Sequence, residues 1–395
     1  MVKNILNLVI DYLVKDYVIK QKIKKFIKKI LYFFTFKSKR INKAKEKLDF
    51  FNYENLIIES HVFSSQYFGR NNMYGIAKTV NSYSNKKSNY VIKGIIEHGL
   101  YLGNHFLDDE VNNKNFPGMI TFSNYREKVL RNNTQKYIFK IGPYIHYSNS
   151  YSKIIEEEIK SRYGKILLVF PYHSIKNIDY EYNYNDFIKE IKNIRDLYNF
   201  DNVFVNMFWL DIKKGYHNKY REEGFLITTA GTNNDNQFLR RLKTLIQISN
   251  FTISNNIGTH TGYINYLDKP HYIYEQKVNA VSKTKEDYKR EFGNRDFEST
   301  EKIKNKLYKA FSKISFEITK EQKELCNYYW GFDKIKTPNE MNFILTFLDE
   351  AFYLMNKKNY SLNEIYNKKI NEIKNEKYRK ILKESFNGGL DNAEQ

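Results

Sequence analysis

One cysteine, five prolines, seventeen glycines and two tryptophans are all that 395 residues contain of these types. The lone Cys326 excludes an intramolecular disulfide framework and any cysteine-built metal cluster, and it suits a buried thiol in a reducing compartment. No apolar run approaches the roughly 20 residues of a membrane-spanning helix; Lys15 and Lys20 interrupt the earliest candidate. That stretch also lacks a small-residue cleavage site, which argues against a secretory signal. No repeat recurs with a period of about 20 to 50 residues. Also missing are GxxxxGK[ST], GxGxxG, HExxH and GxSxG, so the common nucleotide-hydrolase, dinucleotide, zinc-protease and α/β-hydrolase readings fall away. No DxD pair follows a strand, and Asp108-Asp109 sits in a polar loop where it is weakly placed as a metal ligand. Metal-independent chemistry without a cofactor is the expectation.

What the chain has in quantity is charge and aromatic rings. The 34 Tyr and 29 Phe, with 41% hydrophobic residues overall, argue for a folded chain despite 28% charged residues. At roughly 150 residues per domain, the length suggests two or three domains. The formal charge is +20. Abundant Lys, Asn, Ile, Tyr and Phe with little Pro and Gly are the mark of an AT-rich coding sequence, which inflates that total. Its placement is more informative: residues 1–47 hold fourteen Lys and Arg against Asp11, Asp16 and Glu46, a net +11, leaving +9 for the other 348 residues. Ile23, Phe26, Ile27, Ile30, Leu31 and Phe34 trace one helix face between Lys22, Lys24, Lys25, Lys28 and Lys29. A basic face opposite a Phe/Ile face suits the surface of an anionic membrane, or else a helix docked on the protein's own core.

After a polar linker at 38–47, apolar runs at 90–96, 118–122 and 137–142 read as strands, with a helix at 124–130 that Ser123 caps. A second series is clearer. Strands at 165–170, 202–208, 225–229, 251–254 and 270–274 alternate with helices at 184–198, 212–223, 235–248 and 259–267, which implies a parallel, Rossmann-like sheet. Residues 278–306 are polar and charged, and helical patterns at 303–314, 320–329 and 338–356 lead into a Glu/Lys-rich tail. The expected organisation is a basic amphipathic segment at 1–47, an N-terminal Rossmann-like half at 48–150, a C-terminal Rossmann-like half at 151–280 and a helical region at 281–395.

Three segments can carry chemistry. The run 252–263 passes from a strand end through Ser254, Asn255 and Gly258 into a helix opening with Thr259 and His260; backbone N–H groups and hydroxyls at such a helix start attract phosphate. Phe170-Pro171-Tyr172-His173-Ser174 puts an imidazole and a hydroxyl at the same sheet edge. Glu97-His98-Gly99 joins a carboxylate and an imidazole at a strand end of the first half, and either could take a proton from an acceptor hydroxyl. His146 lies where the halves join, with a hinge-packing role the expectation.

Over about residues 90–276 these segments resemble GT-B glycosyltransferases encoded in bacterial capsule, O-antigen and lipooligosaccharide gene clusters, sialyltransferases and polysialyltransferases included. The resemblance is strongest in 165–174 and 254–263 and ends in Lys269-Pro270-His271-Tyr272. It implies an α/β GT-B fold, two Rossmann-like halves facing across a cleft, with a basic N-terminal helix and C-terminal helices. It also implies Glu97 as catalytic base, with His173, Ser254, Asn255 and Thr259 holding the donor phosphate. The sequence departs from the pattern in Pro171-Tyr172-His173-Ser174, where His-Pro is usual, and in His98, where an acidic residue is usual. The His98-Gly99 pair is equally similar to the motif of glycerol-phosphate polymerases, whose histidine serves as base.

The function expected is therefore metal-independent, inverting transfer of a sugar from a nucleotide-sugar donor to a glycan or lipid-linked glycan acceptor. Glu97 or His98 is the base, and His173, Ser174, Ser254, Asn255, Gly258, Thr259 and His260 serve the donor. Residues 1–36 would hold a cytoplasmic enzyme peripherally on the inner face of the cytoplasmic membrane. The alternatives are a polyol-phosphate transferase of similar fold, or a non-catalytic basic protein binding membrane or nucleic acid. Nucleic acid is not expected as a partner, because no recognised module or interleaved basic-aromatic face is present.

Overall fold

Strand and helix alternate along most of this chain, and the strands accordingly pair in parallel. The computed structural model describes residues 10, 12–33, 36–59, 65–175, 177–282, 284–286, 288 and 296–386. In the first half, β1 (Ile95–Ile96), β2 (Gly118–Thr121) and β3 (Tyr137–Lys140) form a parallel sheet in the order β1-β2-β3. Between β2 and β3 runs the Asn124–Arg131 helix, capped as expected by Ser123, whose Oγ accepts from the Arg126 N–H. β1 is much shorter than the 90–96 run because side-chain amides replace a neighbouring strand. Gln66 bonds the Tyr90 carbonyl and the Ile92 N–H, and Asn71 bonds the Gly94 carbonyl and the Ile96 N–H.

The second half carries β4 (Ile166–Phe170), β5 (Ile178–Glu181), β6 (Asn202–Asn206), β7 (Leu226–Thr228), β8 (Phe251–Ser254), β9 (His271–Ile273) and β10 (Asn279–Ser282). Five of these are the expected parallel strands, ordered β7-β6-β4-β8-β9. Counted within the half, that order is 3-2-1-4-5, a doubly wound sheet whose direction of winding reverses between β4 and β8. Such a reversal opens a crevice at the strand carboxyl ends. The register pairs Phe170 with Ser254, so the loops that leave these two strands start side by side.

Three expectations need correction. β5, in a stretch given no element, and β10, in the stretch read as polar, make an antiparallel ribbon; its residues are exposed or half-buried apart from Ile178 and carry no buried alternation. The helix expected at 212–223 is two short pieces, Trp209–Lys213 and Asn218–Arg221, since Gly215 between them takes a left-handed φ of +82°. The linker expected at 38–47 is instead covered by the Phe36–Lys45 helix, and Arg241 holds its end by donating to the Lys45 and Leu48 carbonyls. Residues just beyond it lean on the second half, with the Phe51 ring 5.2 Å from Phe204 and the Thr229 N–H donating to the Phe50 carbonyl.

The C-terminal helices brace the two halves. A Cβ at Gly94 or Gly118 would lie 2.8 or 2.7 Å from the Leu348 side chain, so these glycines let the Pro338–Lys358 helix rest directly on the first sheet. The Lys320–Trp330 helix sits between the halves: the Tyr329 carbonyl accepts from Ser123 Oγ, and Trp330 Nε1 donates to the Thr259 carbonyl. The architecture is thus α/β with two Rossmann-like halves across a cleft, the GT-B arrangement.

At the N-terminus, the Tyr17–Phe33 helix docks through Tyr17, whose ring lies 6.0 Å from Phe116 and 6.2 Å from Phe352. Further along the same helix Phe26 and Ile30 remain 63% and 43% exposed. Phe34, expected on the same face, lies outside the described residues. Among the described residues no helix is long and apolar enough to cross a membrane.

Candidate active site

A cavity of about 280 Å³ opens in the cleft at the carboxyl end of β4 and is lined from both halves. His98 and Tyr101 reach it from the first half; His173, Gly258, Thr259 and His260 reach it from the second. Five of the nine candidate residues therefore meet in one place. The other four, Glu97, Ser174, Ser254 and Asn255, do not line it.

Each of those four has a polar group engaged elsewhere for a local reason, although Asn255 Nδ2 is buried without a partner. Glu97 is fully buried and its carboxylate is held by Arg126, with Nη2 at 2.6 Å and Nε at 3.3 Å, and by the Thr121 hydroxyl. Arg126 also donates to the carbonyls of Tyr101 and His105, so the ion pair shapes the loop after β1. A carboxylate with both oxygens committed to a buried guanidinium is a structural clamp rather than a free base. The Ser174 N–H donates to Asp211, at 3.1 and 3.2 Å from its two oxygens. Burial raises the Asp211 carboxyl above the usual range, and Ser174 and His173 counter that rise. Ser254 Oγ donates to the Asn256 carbonyl at 2.7 Å and lies 3.1 Å from His271 Nε2. Asn255 Oδ1 accepts from the Tyr172 N–H at 2.6 Å, which ties the β8 loop to the β4 loop. Short polar side chains at strand ends bond the nearest backbone first, and these residues fix the loops that carry the cavity's lining.

The lining itself is arranged for polar contact. Thr259 Oγ1 accepts from the Leu100 N–H at 3.0 Å, a hydrogen bond across the cleft. Gly258 makes room for the neighbouring imidazole, since a Cβ there would lie 2.9 Å from His260 Nδ1. His260 stacks on Phe170 with ring centroids 5.0 Å apart, and its Nε2 is shut off from solvent without a partner. Burial holds its pKa well below the usual histidine value, with His271 and His173 adding to the effect. His260 is therefore a neutral donor or acceptor at neutral pH. His271 beneath it is pushed down to about 3 by burial. His173 packs against Phe208 at 4.5 Å. Asn206 and Asn256 also line the cavity, each with an unpartnered, buried Oδ1. Unsatisfied polar atoms around a cavity are the groups a polar ligand would satisfy.

On the opposite wall the His98 side chain is 18% exposed. The Tyr101 hydroxyl lies 3.2 Å from its Nε2 and 3.4 Å from its Nδ1, nearly equidistant and so in line with neither lone pair. Glu110 Oε1 lies 3.7 Å from Nδ1. Sequence reading missed Glu110 and Tyr101; the only signal was the acidic run Asp108-Asp109-Glu110 beginning ten residues beyond His98, whose buried member faces the ring. His146 stands apart from the cavity, its Nδ1 2.5 Å from the Tyr266 hydroxyl and its Nε2 3.4 Å from Tyr83, at the junction of the halves. Among the described residues no three His, Cys, Asp or Glu side chains converge as a metal-binding set.

No family model matches the chain, and no curated protein matches it. Solved structures of the wall teichoic acid polymerase TagF are similar to it at low identity. A histidine-to-alanine variant is 14% identical, covering 68% of this chain and 70% of that one with a TM-score of 0.39. A second TagF structure is 13% identical over 67% and 69% of the two chains, with a TM-score of 0.37. The fold described above rests on the two parallel sheets and their strand orders; likenesses of this grade assign neither donor nor acceptor.

Proposed function

We propose that the chain is a transferase that moves a glycosyl group from a nucleotide-sugar donor to a hydroxyl of a surface glycan or lipid-linked glycan. The observation that carries this reading is the single cavity that joins His98 of one half to His173, Gly258, Thr259 and His260 of the other. His98 takes the proton of the acceptor hydroxyl while its oxygen attacks the anomeric carbon, and the nucleotide phosphate departs. His173, His260 and the start of the Thr259–Tyr266 helix receive the charge that develops on that phosphate. With one base and one displacement the configuration inverts, and no divalent ion is needed to neutralise the leaving group.

A second reading is supported by the way Glu97 and His98 divide. With Glu97 committed to Arg126 and His98 on the cavity wall, the site matches the His-Gly pattern in which histidine is the base for polyol-phosphate transfer. In that case the acceptor oxygen attacks the phosphorus that bears the polyol, and a nucleoside monophosphate leaves. The capsule and O-antigen setting rests on the sequence resemblance alone. The proposal that residues 1–36 hold the enzyme on the inner face of the cytoplasmic membrane rests on the apolar and lysine-rich faces of the N-terminal helix.

Turnover with a panel of nucleotide sugars and nucleotide polyols, in the presence of EDTA, tests both readings. The expected result is product from one donor class and a loss of about 100-fold or more in kcat for His98→Ala. Activity that vanishes in chelator, or a His98→Ala protein as fast as wild type, would overturn the mechanism.

A further inference from the structure

Glu110 is an expensive residue to bury, and nothing in its surroundings gives it full structural employment. It sits in the short Asp108–Val111 helical turn, its side chain 1% exposed, and its Oε1 makes no hydrogen bond. The nearest cation, Arg70, reaches it only at 3.5 Å while pairing with Asp109 at 2.5 Å. The titratable and charged groups that face Glu110 are His98, Arg70, Glu97, Tyr101 and Tyr144. Of these, Glu97 is already neutralised by Arg126. Tyr101 and Tyr144 are held neutral by burial. Two partners remain: Arg70, which Glu110 shares with Asp109, and the imidazole on the cavity wall, whose Nδ1 is 3.7 Å away.

We propose that Glu110 is the positioning residue of a carboxylate-imidazole dyad, holding the His98 Nδ1–H tautomer so that Nε2 presents its lone pair to the acceptor hydroxyl. This rests on the reading of His98 as base. The proton leaves the acceptor O–H for Nε2 as the oxygen bonds to the donor, and the leaving phosphate takes the electron pair of the broken bond. The imidazolium formed in that step is stabilised by the carboxylate behind it, in a setting where burial strengthens the interaction. Once the product has left, the proton passes from Nε2 to water and the dyad is restored.

Burial raises the Glu110 carboxyl above the ordinary glutamate range, with His98 and Arg70 opposing that rise. For a carboxyl shifted upward, the stabilising contribution belongs to the protonated form; it is complete below the ordinary value and is lost as pH rises through the folded value. Wild type therefore bears a stability cost near neutrality that Glu110→Gln removes. The variant is expected to melt no lower than wild type at about pH 8, with the difference closing in acid. A group that costs stability and serves catalysis gives opposite signs in the two measurements, which a merely structural residue does not.

The test combines kinetics with histidine-labelled NMR on the full chain. For Glu110→Gln the kcat is expected to fall about 10- to 100-fold with KM little changed. The titration midpoint of the His98 ring, assigned with His98→Ala, is expected to move down because a nearby anion no longer favours the imidazolium. Glu110→Asp should recover part of both. The NMR arm needs no substrate: a midpoint that stays put in Glu110→Gln overturns the dyad whichever donor the enzyme uses. If the midpoint moves but His98→Ala turns over as fast as wild type, the base assignment fails and takes the catalytic half of this proposal with it.

Discussion

At residue scale, Glu97 and His98 show how adjacent side chains at a strand end are sorted. Successive residues of an extended chain point to opposite sides, so one of the pair was bound to face the interior. The sequence could not say which, because the deciding partner, Arg126, lies in the Asn124–Arg131 helix beyond β2 and is itself fully buried. Glu110 was illegible for a similar reason: its contact with His98 joins two loop positions that only the fold brings together. Ser254, Asn255 and Ser174 stand at the strand ends that the sequence marks for the ligand, but Ser254 Oγ, Asn255 Oδ1 and the Ser174 N–H meet backbone or Asp211 instead. Since Glu97 clamps Arg126, Glu97→Ala leaves a buried guanidinium uncompensated, at an expected loss of about 3–5 kcal/mol of stability. A urea titration reads it as a lowered midpoint; a midpoint equal to wild type would show that the pair does not hold the 101–105 loop.

At the scale of elements, the second sheet was almost fully legible. Five apolar runs separated by helices, joined by right-handed crossovers, leave few strand orders open, and the loops after β4 and β8 carry the polar and imidazole side chains that mark them in the sequence. The β5–β10 ribbon was not legible, because exposed strands lack the apolar alternation that marks them. The N-terminal helix was legible in type and only half so in placement. Its start is docked through Tyr17, while Phe26 and Ile30 stay exposed beside a row of lysines. If that face meets an anionic membrane, each lysine contributes about 1 kcal/mol and the two apolar side chains contribute burial. Replacing both Phe26 and Ile30 with Glu should leave the fold intact and release the protein from vesicles containing anionic lipid in a sedimentation assay. A double variant that still sediments would remove this helix as the anchor.

At the scale of the whole molecule, the cavity exists because three parts are held in one geometry. The Thr259–Leu100 bond crosses the cleft directly. Trp330 presses on Gly262, where a Cβ would lie 2.1 Å from its ring, and bonds the Thr259 carbonyl. Ser123 fixes the same helix to the first half. The net +20 says little about this arrangement, since +11 of it lies in the first 47 residues. What defines the site instead is a pair of facing walls, one with an imidazole beside a buried carboxylate and one with neutral donors at a helix start. The most direct measurement of that account is thermal unfolding of wild type and His173→Ala with CMP, CDP and UDP. Occupancy at about 100 times Kd stabilises a fold by about 2.7 kcal/mol, so at least one nucleotide is expected to raise the wild-type Tm by several degrees and to raise that of the variant less. A wild-type Tm unmoved by all three at millimolar concentration would contradict the assignment of the cleft as a nucleotide-donor site.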